Sequence, residues 1–155
     1  MAVKIDYRVA DAGWADCDVA IDGSAASVEA SYLGDALLEL IEATRAIVDG
    51  ANYSVAHFYD EPGECRFVLE PQGDTIRVRI LEFGETWSEE PDEAGFVRLE
   101  AVCPLQEFAE AVLAAASQVL NTHGLEGYKE KWVRHDFPSE AVYGLRRALQ
   151  GGTLH

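Results

Sequence analysis

The sequence predicts an α+β fold: a single antiparallel sheet of about five to six strands, in the order ββ-α-ββββ-α-α, with the helices packed on one face. Three observations lead there. Apolar residues recur at every second position in several separate segments, the period of a half-buried strand. Most of these segments are joined by short turns, which connect antiparallel neighbours, because a parallel crossover needs about a dozen residues or more. Between and after them lie stretches with helical periodicity.

Val3, Ile5, Tyr7 and Val9 alternate with Lys4, Asp6 and Arg8, and Asp11-Ala12-Gly13 supplies turn chemistry. Ala15, Cys17, Val19 and Ile21 then alternate with aspartates, so the two runs form a β-hairpin ending at Asp22-Gly23. Residues 24–30 fit either a short strand or an irregular lead into a helix. Leu33, Leu37, Leu40, Ile41, Thr44 and Val48 share one helical stripe, with Ser31 as its expected N-cap and Asp49-Gly50 as its stop. Gly34 would weaken that first turn.

Four strands follow, over residues 53–59, 64–70, 75–83 and 96–103. Asp60-Glu61-Pro62-Gly63 and Pro71-Gln72-Gly73-Asp74 mark the first two turns. Residues 84–95 form a longer acidic connection, which leaves the pairing of the last strand open. Pro104 opens a second amphipathic helix carrying Leu105, Phe108, Val112, Ala116, Val119 and Leu120, ending at His123-Gly124. A short helix from Ser139 to Leu149 closes the domain, taken as residues 1–150, with 151–155 as a fraying tail.

Charge is distributed unevenly. Residues 1–110 hold 24 of the 28 carboxylates against seven basic residues; the last 45 hold four acids and five bases, and the net charge is −16. DNA, RNA or an anionic membrane meets repulsion over most of such a surface, so no nucleic acid and no membrane is an expected partner. The first residues lack the apolar stretch of a signal peptide, and no run approaches a membrane span. Cys17, Cys65 and Cys103 are odd in number and widely spaced, as free thiols in a reducing compartment are. A cytoplasmic protein is expected.

Two clusters invite a functional reading. Glu85, Glu89, Glu90, Asp92 and Glu93 surround Trp87 without a basic residue among them, an arrangement suited to a basic protein partner: charge steers the encounter and tryptophan supplies contact area. The competing reading is a solvated loop whose tryptophan folds back over the sheet edge. Arg77, Arg79, Tyr128, Trp132 and His135 could line a pocket between the sheet and the C-terminal segment. Against it, Arg66, Arg77 and Arg79 suit a cross-strand ion-pair ladder with Glu64, Glu70 and Glu82. Lys129, Lys131, Arg134 and His135 suit a clamp on the acidic remainder, the favoured reading, or a spot for a small anion.

His57 could act as a base beside Asp60 or Glu61, though an ordinary strand histidine is the favoured reading. Asp16, Asp18 and Asp22 depart from the offsets of a calcium loop. No nucleophile elbow, phosphate loop, dinucleotide fingerprint or zinc spacing is present, so no catalytic residue, cofactor or metal is assigned.

In size, acidity and sheet-plus-helix order the chain is similar to small bacterial immunity proteins, which neutralise secreted toxins; the resemblance is one of composition and covers no motif. It implies a non-enzymatic protein-binding module. The alternatives are a small-molecule-binding or metabolic protein using the pocket, and a subunit that forms a homodimer through an exposed sheet face or edge.

Overall fold

A computed structural model describes residues 3–152. The alternating segments are strands: β1 (Val3–Ala10), β2 (Trp14–Ile21), β3 (Ser24–Ser31), β4 (Ser54–Tyr59), β5 (Glu64–Gln72), β6 (Thr75–Phe83) and β7 (Phe96–Pro104). The helices are α1 (Ala36–Val48), α2 (Leu105–Trp132) and α3 (Ser139–Gly152). The α+β class holds, but the single sheet does not. β1-β2-β3 form one antiparallel sheet and β4-β5-β6-β7 a second.

The division follows from what each strand meets. Residues 24–31 pair with β2 along its whole length, from Trp14 opposite Ser31 to Ile21 opposite Ser24. The chain then leaves the sheet for α1, so β4 begins a new one. α1 packs along β4, which touches β3 without pairing with it. The His57 backbone N–H donates to the Glu39 carboxylate at 2.9 Å, and the Ser54 hydroxyl donates to the Ala43 carbonyl at 2.7 Å. The first occupies a backbone edge donor that would otherwise invite another strand, and the second ties α1 to the start of β4.

The inner faces of both sheets and all three helices contribute to one core. Leu37, Leu40 and Ile41 of α1 are fully buried there, as are Phe58, Phe67 and Ile80 of the second sheet. Each such burial contributes about 1.5–3 kcal/mol.

Several boundaries differ from expectation, among them that Pro104 ends β7 and α2 begins at Leu105. Ser31 ends β3, and Asp35 takes the N-cap position of α1, so Gly34 lies before the helix and not in its first turn. A Cβ on Gly34 would lie 2.5 Å from the Tyr59 ring, which explains a glycine there. α2 continues to Trp132, although Gly124 (φ 71°, ψ 176°) breaks its helical geometry where the sequence marks an end. Gly151 and Gly152 fall within α3; the rest of the expected tail, residues 153–155, lies outside the described residues. Among the described residues no helix is long and apolar enough to cross a membrane.

Candidate functional site

β5 reads Glu-Cys-Arg-Phe-Val-Leu, and residues 64–69 are all buried, so both faces of this strand are covered. The inner face meets the helices. Over the outer face, Val68, Leu81 and Phe83 form a second small apolar cluster with Val55 packed against it. Residues 84–95 cross this face as a cover.

A buried guanidinium organises that cover. Arg66 Nε donates to Glu64 Oε2, its Nη1 to Asp92 Oδ1 and its Nη2 to the Ser88 carbonyl, each at 2.9 Å. The Ser88 backbone N–H in turn donates to Glu64 Oε1 at 2.8 Å, and the Tyr53 hydroxyl donates to Asp92 Oδ2 at 2.7 Å. The guanidinium also lies 3.9 Å from the centre of the Phe83 ring. Solvent reaches 9% of the Arg66 side chain, 1% of Glu64 and 16% of Asp92. Burial raises the Asp92 carboxyl, but hydrogen bonds from Tyr53 and Arg66 outweigh it and hold the group below its ordinary range. Thr86 ties the start of the loop, donating to the Asp60 carbonyl at 2.8 Å and accepting from the Gly63 N–H at 3.0 Å.

The same anchoring turns other groups outward. Trp87 has φ 54°, in the left-handed region that non-glycine residues rarely adopt, and its side chain leaves the residue 59% exposed. Glu85, Glu89, Glu90 and Glu93 are exposed around it. Its ring lies 5.9 Å from that of Tyr59, which stacks on His57 at 5.5 Å and 5°. His57 does not pair with Asp60 or Glu61: its Nδ1 lies 3.0 Å from Glu39 Oε1, and this contact raises its pKa from the ordinary value. The outcome is an aromatic row, His57–Tyr59–Trp87, beside a fringe of free carboxylates. Asp92 faces inward and takes no part in that fringe.

The chain matches no family model, no curated protein and no solved structure.

The expected pocket residues separate. Arg77 and Arg79 lie on the outer face of the second sheet, where Glu70 accepts from Arg79 at 3.0 Å and Glu100 from Arg77 Nε at 2.9 Å. These pairs form the ladder, with one change: Glu82 falls on the opposite face, across from Cys65, and meets Arg98 at 3.3 Å. Tyr128 and Trp132 are fully buried in the core cluster, and His135 stands beside Asp35 at 3.6 Å. The basic stretch clamps in part. His135 reaches Asp35 and Arg134 lies over the Tyr32 ring, while Lys129 pairs with its near neighbour Asp136.

Asp18 accepts from Ser27 and pairs with Arg8, as strand-face carboxylates do. Among the described residues no group of three His, Cys, Asp or Glu side chains is arranged to hold a metal. A trough of about 600 Å³ on the outer face of the first sheet is lined by Lys4, Asp6, Asp18 and Arg98, side chains of mixed charge. Sequence reasoning missed Tyr53, Ser88 and Glu39. The available signal was β5 itself, whose apolar residues on both faces require a cover on each.

Proposed function

We propose that the protein is a non-enzymatic binding module for a basic protein, which it meets through Trp87, Tyr59 and the fringe of Glu85, Glu89, Glu90 and Glu93. One observation carries this reading: the buried Arg66 network holds Trp87 outward in a strained backbone conformation, beside a second aromatic ring. A loop held before contact loses little entropy on binding, and exposed tryptophan and tyrosine are the side chains most often responsible for binding energy. The carboxylates add steering toward a positive surface.

The test is capture at low salt from the cells that make the protein, followed by titration of the purified partner. A basic protein should bind, weaken steeply as salt rises, and lose at least tenfold in affinity to Trp87→Ala. Binding that ignores Trp87, or a captured protein without basic surface, rejects the reading.

A homodimer has its own observation. Phe96, Val97 and Val102 of the edge strand β7 are exposed by 68%, 49% and 42%. An apolar dimer interface would keep the elution mass at twice the monomer in high salt, whereas the heteropartner reading expects a monomer.

A further inference from the structure

We infer that Tyr7, Asp35, Tyr128 and Trp132 bind ordered water in a buried polar site where β1, the start of α1 and the last turns of α2 meet. Among the described residues, five buried side-chain polar atoms reach no protein partner. Four of them are the Tyr7 hydroxyl, Asp35 Oδ1, the Tyr128 hydroxyl and Trp132 Nε1. Tyr7 is 3% exposed and Tyr128 and Trp132 are 0% exposed. Buried polar groups without a partner are rare, so four at one junction call for a common explanation.

α2 packs on β1 and on α1, which brings together the elements that carry the four. Tyr128 and Trp132 are four residues apart on α2 and therefore on one face of it. Burial first, then the proximity of Tyr128, Cys17 and Asp35, holds the Tyr7 phenol well above its ordinary pKa. Asp35 also raises the Tyr128 phenol, after burial. The Leu37 backbone N–H lies near the Tyr7 oxygen without reaching hydrogen-bond geometry. The second Asp35 oxygen faces His135, which lines a cleft of about 410 Å³ together with Leu38, Arg134 and Phe137.

The donor set decides the class of ligand. Two hydroxyls and an indole N–H can donate, and the carboxylate and both hydroxyls can accept. An anion would be repelled by Asp35, and a cation would face the indole N–H. A neutral molecule that both donates and accepts satisfies all four, and water does so in the least space. Buried waters occur about once per 27 residues and make about three hydrogen bonds each, so one or two here are in keeping with a chain of this length.

The test uses the full chain. A crystal structure at about 1.5 Å should show ordered water within hydrogen-bond distance of at least two of the four atoms. Direct bonds among the four side chains, or no water, would overturn the inference. Tyr7→Phe and Tyr128→Phe keep each ring and remove one hydroxyl. With water bound, each variant should melt about 2–4 °C lower. An unchanged or higher melting temperature in both would mean that the hydroxyls were merely unsatisfied, and would overturn it equally.

Discussion

Arg66 and Glu64 lie two residues apart on the outer face of β5, 2.9 Å from nitrogen to oxygen, and both are buried. Glu64 uses its two oxygens for different tasks, one for this arginine and one for the Ser88 backbone of the covering loop. The pair thus converts a strand's side chains into the position of a loop.

Removing one partner leaves the other charge buried. Arg66→Ala should therefore lose about 3–5 kcal/mol of stability, read from the denaturant midpoint. A double variant with apolar residues of similar size, Glu64→Leu with Arg66→Met, should recover much of that loss. It should still lose partner binding, because Ser88 and Asp92 no longer hold Trp87 outward.

Acid should release the same loop. The folded Asp92 carboxyl titrates below its unfolded value, so its contribution is present above the unfolded pKa of about 3.9 and is lost as pH falls through the folded one. Trp87 fluorescence, isolated by comparison with Trp87→Phe, should change in this range before global unfolding. Coincidence of the two transitions at every pH would contradict a separately anchored loop.

His57 behaves in the opposite sense. Its folded pKa is raised by Glu39, so the stabilisation is complete below the unfolded value of about 6.5 and disappears as pH rises through the folded value. The pair is partly exposed, and its worth is about 0.5 kcal/mol. Glu39→Gln keeps an oxygen for the His57 N–H while removing the charge. Urea midpoints measured from pH 5 to 8 should show a step in the parent chain that this variant lacks.

The thiols should be silent in the folded state. Burial pushes Cys17 and Cys65 up to about 12 and Cys103 up to about 11, and all three are buried. A thiol reagent at pH 8 should label none of them rapidly in the native protein and three after denaturation. Fast native labelling of any one would show that its strand opens.

Much of the secondary structure was legible because it is set by neighbours along the chain. The period-two runs around Tyr7, Cys17 and Ile80 became strands, and the Leu37–Leu40–Ile41 stripe became the buried face of α1. Turn residues at Asp60–Gly63 and Gly73 joined antiparallel partners as expected. The acidic loop with its central tryptophan also stood out by composition.

Long-range contacts decided the rest. Whether β3 would pair onward with β4 depends on what meets the edge of β4, and Glu39 of α1 does so from 18 residues away. Composition makes Asp92 resemble Glu90 and Glu93, yet Arg66 and Tyr53 draw it inward across 26 and 39 residues. Periodicity reports which face a side chain occupies; it carries no information about which distant group lies over that face. Burial and ion pairing depend on that second fact, so only the folded chain separates the carboxylate that holds the loop, Asp92, from Glu85, Glu89, Glu90 and Glu93, which stay exposed.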